Sequence, residues 1–276
     1  MPEVLVVIGV GGMGEAIARR CGAGKKVVLA DFNKALLDGL ATRLAGDGFD
    51  VTAQVVDVAD RASVASLASC AAGLGAVTQV AHTAGLSPVQ ASAAAIVQVD
   101  LVGVANSIEE FGAIVAPGGA GVVIASMAGS MAVGKLPAEA ELALATTPAA
   151  ELASLPFLAA AASDPGAAYG VAKRANQVRV QAASLAWGAR GARLNSISPG
   201  VVSTPMGQAE LAAESGAMMR GMIAASGTGR VGTPTDIASA AAFLLGPDSS
   251  FITGTDLLVD GGVVAAIRSG AFSPRA

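Results

Sequence analysis

Apolar residues in this chain come in short unbroken runs, each followed by a stretch with helical periodicity. Val4 to Ile8 is a continuous run of Val, Leu and Ile, Gly9 to Gly14 reads as a glycine-rich turn, Glu15 to Cys21 as a helix and Lys26 to Ala30 as a second strand. Strands that are apolar throughout, not alternating, imply burial on both faces and therefore a parallel sheet covered by helices. The rhythm continues with helix Lys34 to Ala45, strand Val51 to Val56, helix Arg61 to Gly73, strand Val77 to Thr83, an Ala-rich helical region Gln90 to Val115 and strand Gly121 to Ala125. After Met127 it breaks. The segment from about Gly134 to Pro165 is cut by Pro137, Pro148 and Pro156 and has no β-branched run, so an inserted helical excursion is expected there. Helix Ala167 to Gly188, strand Arg193 to Ser198, a Pro199-Gly200 turn, an irregular, mobile segment Thr204 to Gly229, helix Thr235 to Leu245, strand Asp256 to Val259 and a tail after Gly262 complete the pattern. No linker divides it, and the expected architecture is one doubly wound α/β domain of about seven parallel strands with helices on both faces.

Composition narrows the function classes. Apolar residues make up 53% of the 276 positions and charged ones 14%. Yet the longest stretch free of charge, Ala62 to Val99, is broken by Gly73, Gly75, Gly85 and Pro88 and lacks the roughly 20 strongly apolar residues of a membrane span. A net charge of −4 and 3% aromatic content argue against a nucleic-acid partner. Cys21 and Cys70 are too few for a disulfide framework, and no basic leader precedes the first strand, so a cytoplasmic setting is expected.

Gly9-Val10-Gly11-Gly12-Met13-Gly14 satisfies G-x-G-x-x-G directly after a strand and at the opening of a helix, the context that gives the motif its meaning. Glycines there let backbone amides approach a pyrophosphate, and the helix N-terminus contributes partial positive charge, the arrangement of a dinucleotide-binding Rossmann fold. Asp31, at the end of the second strand, is placed to accept hydrogen bonds from a ribose 2′-hydroxyl and would repel a 2′-phosphate. NAD is therefore favoured over NADP.

Tyr169 is the only tyrosine, and Lys173 lies four residues after it within a predicted helix, on the same face. A phenol of pKa about 10 becomes a usable acid or base near neutrality when an ammonium stabilises its phenolate. Proton exchange of that kind accompanies hydride transfer between an alcohol and a carbonyl.

Tyr169-Gly-Val-Ala-Lys173 resembles the Y-x-x-x-K motif of the short-chain dehydrogenase/reductase family, and other segments match it in order. Val122 to Gly129 is similar to the segment carrying the family's catalytic serine, which falls on Ser126, with Ser130 as the second choice. Asp57-Val58 resembles an adenine-contacting pair, His82-Thr83-Ala84-Gly85 stands where the family has Asn-Asn-Ala-Gly, and Pro199 to Thr204 resembles its nicotinamide loop. The resemblance implies Ser126, Tyr169 and Lys173 as catalytic residues. It implies a cofactor site of Gly9, Gly11, Gly12, Met13, Gly14, Asp31, Phe32, Asp57, Val58, Thr83, Ala84, Gly85, Tyr169, Lys173, Pro199, Gly200, Val202 and Thr204. In that site Lys173 also bonds the nicotinamide ribose, while Thr204 and the Val202 amide orient the carboxamide. The implied substrate is a small alcohol or ketone, and the implied assembly a homo-oligomer, tetramer or dimer.

Three departures qualify this. Asp100 replaces an Asn that helps hold a proton-relay water. His82, the only histidine, replaces an Asn, and a structural hydrogen-bonding role is expected for it. Ser126 and Tyr169 lie 43 residues apart, where the family has little more than a dozen between them. Helices between Gly134 and Pro165 are expected beside or over the pocket, offering Leu142, Leu144, Leu152, Leu155, Phe157 and Leu158, or else at an oligomer contact. Val178, Ala182 and Leu185 form a stripe open to a second subunit or to the core. Met206, Met218, Met219 and Met222 hint at a lipophilic substrate. A non-catalytic NAD-binding subunit and an epimerase or dehydratase using NAD transiently remain open as alternatives.

Overall fold

A computed structural model of the chain describes residues 1–158 and 163–273; residues 159–162 of the expected insertion and 274–276 lie outside the described residues. Seven strands, β1 (Glu3–Ile8), β2 (Lys26–Asp31), β3 (Asp50–Val55), β4 (Ala76–His82), β5 (Ala120–Ile124), β6 (Arg193–Pro199) and β7 (Asp256–Val259), form one sheet in the order β3-β2-β1-β4-β5-β6-β7. All six pairings are parallel. The winding reverses between β1 and β4, and in such sheets ligands bind beyond the strand C-termini at that reversal.

The apolar runs divide between two cores. In β1, Val4, Val6 and Ile8 point into one cluster with Val64, Phe111 and Trp187. Leu5 and Val7 point into the other with Ile17, Leu37 and Ile237. Alternation along a strand thus feeds both faces from one continuous run. Helices α1 (Gly12–Cys21), α2 (Lys34–Gly46) and α3 (Arg61–Leu74) follow the first three strands.

Three segments carry more structure than the sequence expectation specified. The region Gln90 to Val115 is not one regular helix: α4 (Ala93–Ile96) passes through a π-helical stretch, Val97–Gly103, into α5 (Val104–Gly112). Close packing on Val58 accompanies this, since a Cβ on Gly103 would lie 2.6 Å from Val58 Cγ2. The segment Thr204 to Gly229, expected to be irregular, instead carries two helices, which we label α10 (Pro205–Ala212) and α11 (Gly216–Ala225). The tail is not loose either: helix α13 (Val263–Arg268) buries Val263, Val264 and Ala266, and Arg268 donates to the Ser130 carbonyl at 3.1 Å. Between these two stands α12 (Pro234–Leu245), opened by a Thr233/Asp236 capping box.

After α6 (Met127–Met131), the segment 134–165 carries α7 (Ala138–Thr146) and α8 (Ala149–Leu152) ahead of the long helix α9 (Pro165–Ala189). Leu144, Leu152 and Leu158 are buried with Ile96, Leu101, Ala168, Ala172 and Val178, and Leu155 and Phe157 pack on that cluster, while Leu142 is exposed. Arg174 of α9 grips Glu141 of α7 through two bonds of 2.7 and 2.9 Å, and Arg179 donates to the Leu144 carbonyl at 2.9 Å. The described part of this segment therefore backs α9. Val178 is consumed by this intramolecular packing, while Leu185 stays 79% exposed. No described helix is long and apolar enough to cross a membrane.

Candidate active site

An open cleft lies where the C-terminal ends of β4, β5 and β6 meet the start of α1. It is lined by Met13, Thr83, Gly85, Leu86, Asp100, Ile124, Ala125, Ser126, Tyr169, Lys173, Pro199, Gly200, Val202, Thr204, Met206, Gly207 and Glu210. Ser126, Tyr169 and Lys173, taken from two elements far apart in sequence, thus share one wall. No described residue of 134–165 lines it, so the expected position over the pocket is not where the described part of that segment sits.

Each polar side chain is held by local structure. Ser126 follows β5 and caps α6, accepting from the Ala128 amide at 3.1 Å, while its hydroxyl also hydrogen-bonds the Tyr169 phenol. Ser130 turns away from the cleft and accepts from Gln177 at 3.1 Å within a buried network that reaches Ser198 and Asp256. Tyr169 and Lys173 stand one turn apart on α9, with the Lys173 ammonium 5.4 Å from the centre of the phenol ring.

Lys173 is 4% exposed, and Asp100 is fully buried opposite it. Lys173 Nζ meets Asp100 Oδ2 at 3.0 Å and the Ile124 carbonyl at 3.4 Å, and Asp100 Oδ1 accepts from the Leu86 amide at 2.8 Å. Asp100 Oδ2 faces Lys173 as an ion pair, and burial pushes the Asp100 carboxyl above its ordinary value against the pull of Lys173 and the Leu86 amide. Burial opposes the Lys173 ammonium, but Asp100 and Tyr169 outweigh it and hold lysine above its ordinary value. Burial pushes the Tyr169 phenol up; Lys173 and Ser126 pull it down, while Asp100 and Glu210 push the same way as burial. A Cβ on Gly85 would stand 3.0 Å from Asp100 Oδ2 and 3.2 Å from Lys173 Nζ, so the pair leaves no room for a side chain there.

The residues present fit a dinucleotide. Gly9 has φ of +89°, and a Cβ on it would lie 2.4 Å from the Ala84 amide nitrogen; a Cβ on Gly14 would lie 1.9 Å from the Gly9 carbonyl oxygen. These two glycines let β1, β4 and α1 close together, helped by Thr83, whose hydroxyl donates to the Gly9 carbonyl at 2.6 Å. Gly11 is different: nothing lies within 4 Å of its Cβ position, a hollow beside the α1 N-terminus of the kind a pyrophosphate fills. Gly12 faces Thr204 across the cleft. Asp31 ends β2 and accepts from the Val10 and Asn33 amides, both at 2.8 Å, which holds its carboxylate beside the turn. Phe32 is 75% exposed and Asp57 is exposed at the end of β3, whereas Val58 is buried beneath Gly103. Thr204 caps α10, accepting from the Gly207 amide at 3.0 Å and keeping its own proton to donate.

His82 does not make the hydrogen bonds expected of it. Its ring is 2% exposed, and neither nitrogen has a hydrogen-bond partner. Burial, reinforced by the Lys173 charge, pushes it down to about 3, so the ring is neutral. Leu86 and Glu210 also line the cleft, and no motif pointed to them, whereas Met206, singled out in the sequence, lines it as well.

Comparison with known proteins agrees with this geometry. Residues 3–138 match the family described as short chain dehydrogenase, and residues 138–264 match that described as enoyl-(acyl carrier protein) reductase. The chain is 46% identical to the short-chain dehydrogenase/reductase bsc3 of Alternaria brassicicola over 263 residues, covering 95% of this chain and 96% of that one. It is 32% identical to the 3-alpha-hydroxysteroid dehydrogenase/carbonyl reductase of Comamonas testosteroni, covering 75% and 79%. A crystal structure described as a short-chain dehydrogenase/reductase, glucose/ribitol dehydrogenase, from Brucella melitensis superposes with a TM-score of 0.74 at 25% identity, covering 95% and 96%. A relative sharing nearly half its residues over nearly the whole of both chains leaves one assignment: this chain belongs to the short-chain dehydrogenase/reductase family of oxidoreductases.

Proposed function

We propose that the chain is a single catalytic unit that interconverts an alcohol and a carbonyl compound with NAD as cofactor. The observation that carries this reading is the convergence of Ser126, Tyr169 and Lys173 on one cleft beside the glycine turn. In the oxidative direction the Tyr169 phenolate takes the proton from the substrate hydroxyl; in the reductive direction the phenol returns it to the carbonyl oxygen. Ser126 donates a hydrogen bond to that same oxygen and steadies the charge that builds on it. Lys173 stabilises the phenolate form and would also bond the ribose of the cofactor. The nicotinamide, when bound, accepts or supplies the hydride. Thr204 and the Val202 amide orient the carboxamide, and Gly9 to Gly14 hold the pyrophosphate.

The preference for NAD rests on Asp31 and on Lys34, the nearest cation after it, which is paired with Asp38 and so is not free to meet a 2′-phosphate. Any assembly into a homo-oligomer would use surface other than the part of α9 covered by α7. The test is nicotinamide absorbance on mixing the protein with either dinucleotide and a panel of secondary alcohols. Turnover with NAD favoured over NADP is expected; tight binding with no turnover across the panel would overturn the reading.

A further inference from the structure

Helix α10 presents Met206, Gly207 and Glu210 to the cleft, and Glu210 brings to that wall a charge that the proton-transfer groups do not need. Three charged side chains line the cleft. Lys173 and Asp100 are engaged with each other at 3.0 Å. Glu210 has no ion-pair partner among the described residues. Its one neighbouring polar side chain is the fully buried Ser87, whose hydroxyl hydrogen-bonds the carboxylate and also lies 3.3 Å from Gln90 Oε1.

Glu210 has no evident structural reason to be there. It sits in the C-terminal half of an eight-residue helix, where the helix dipole disfavours an anion. It is half-buried without a cation, and burial pushes its carboxyl up. A carboxylate offers about four acceptor positions, and the single Ser87 proton, for which Gln90 competes, fills at most one. It lines the same cleft as Ser126 and Tyr169.

We propose that Glu210 selects the substrate: the cleft takes an alcohol or carbonyl compound carrying a second hydrogen-bond donor, hydroxyl or ammonium, near the reacting carbon, and rejects anionic ones. This rests on the reading of the cleft as a site of alcohol and carbonyl exchange. It adds a polar requirement to the lipophilic substrate hinted at by the methionines. Met206 lines the cleft beside Glu210, whereas Met222 is buried elsewhere and Met218 and Met219 do not line it. The net charge of the lining groups is negative, which adds a long-range penalty against carboxylate or phosphate substrates.

The test uses one ring scaffold in four forms: cyclohexanol, a vicinal cyclohexanediol, a vicinal aminocyclohexanol and a vicinal hydroxycyclohexanecarboxylate. Their binding to the protein with NADH is measured by calorimetry, and their oxidation with NAD is followed in parallel. The diol or the amino alcohol is expected to bind about tenfold more tightly than cyclohexanol, the weight of one hydrogen bond to a charged group, and the carboxylate about tenfold more weakly. Which of the two leads identifies the donor. In Glu210→Gln the penalty on the carboxylate disappears, and in Glu210→Leu the advantage of the diol disappears; both are read as ratios within each variant. Equal binding of all four forms by the wild type, no binding at all, or ratios unchanged in both variants overturns the proposal. Binding ranked as expected but with no turnover of any form sinks the alcohol and carbonyl reading alone, and turnover without ranking sinks the Glu210 proposal alone.

Discussion

Replacing Asp100 by Asn removes the charge that pairs with Lys173 beside the proposed acid/base. The amide keeps an oxygen for the Leu86 N–H and turns its NH2 toward Lys173, which loses its counter-ion. At an effective dielectric constant of about 20, the Lys173 ammonium, 5.4 Å from the ring centre, stabilises the ionised phenol by about 3 kcal/mol, and the Asp100 carboxylate opposes it more weakly. Asp100 therefore offsets part of the help that Lys173 gives. Its removal is expected to lower the pKa of Tyr169. The groups acting on that phenol are Lys173, Ser126, Asp100 and Glu210, and the substitution removes only one of the charges. Because Tyr169 is the sole tyrosine, near-ultraviolet phenolate absorbance titrates it directly, with no other phenol to subtract. Alcohol oxidation needs the phenolate, so the rising limb of its pH profile should move to lower pH by the same amount; carbonyl reduction needs the phenol, so its falling limb should move with it. A phenol that titrates unchanged, or higher, in Asp100→Asn would refute the claim that this carboxylate sets the strength of the proton acceptor.

Other substitutions probe the neighbouring structure. Gly85→Ala places a methyl 3.0 Å from Asp100 and 3.2 Å from Lys173. Turnover should fall about tenfold or more with NAD affinity nearly kept, as measured by steady-state kinetics and calorimetry. His82 is held at about 3 in the fold against 6.5 for an ordinary imidazole, so the unfolded chain binds the extra proton between those values and stability is lost as pH falls through that window. The loss is about 1.4 kcal/mol per pH unit, and His82→Leu should abolish that contribution in denaturant titrations at pH 4 and 7, with no cost at neutrality from a ring whose nitrogens are unpaired. Glu141→Ala removes the two bonds that tie α7 to Arg174, and should cost about 1 to 2 kcal/mol of stability while leaving kcat/KM within about twofold, the mark of a brace and not of a lid.

The central strands were legible because β1, β2 and β5 are apolar runs buried on both faces, and every observed strand, including the more polar β3 and β6, starts and ends within one residue of its expected bounds. The glycine turn was legible for a related reason: steric need at Gly9 and Gly14 leaves no residue but glycine. What could not be read depends on contacts distant in sequence. The π-helical stretch around Asp100 leaves no periodic trace, and its packing depends on Val58 under Gly103. The Asp100–Lys173 pair joins two helices whose approach only the folded sheet defines, so the sequence showed an exchange of Asn for Asp but not a direct ion pair. Helices α10 and α11 are short and weakly patterned, and the aromatic ring of Phe272 lies 2.7 Å from where a Cβ on Gly221 of α11 would stand. Their order comes from tertiary packing, and with it the placement of Glu210 in the cleft. His82 misled in the opposite way: a lone histidine at a position usually held by Asn reads as a hydrogen-bonding residue, yet the fold surrounds it with apolar groups such as Val80, Val123 and Trp187.

The central claim is that Tyr169 moves the proton in alcohol and carbonyl exchange. It is tested most directly by comparing wild type with Tyr169→Phe for NAD affinity and for NADH formation from an accepted alcohol. The account predicts that NAD affinity is retained within a few fold while turnover falls by at least about a hundredfold, the typical weight of one general acid/base. Turnover in Tyr169→Phe close to that of wild type would contradict it.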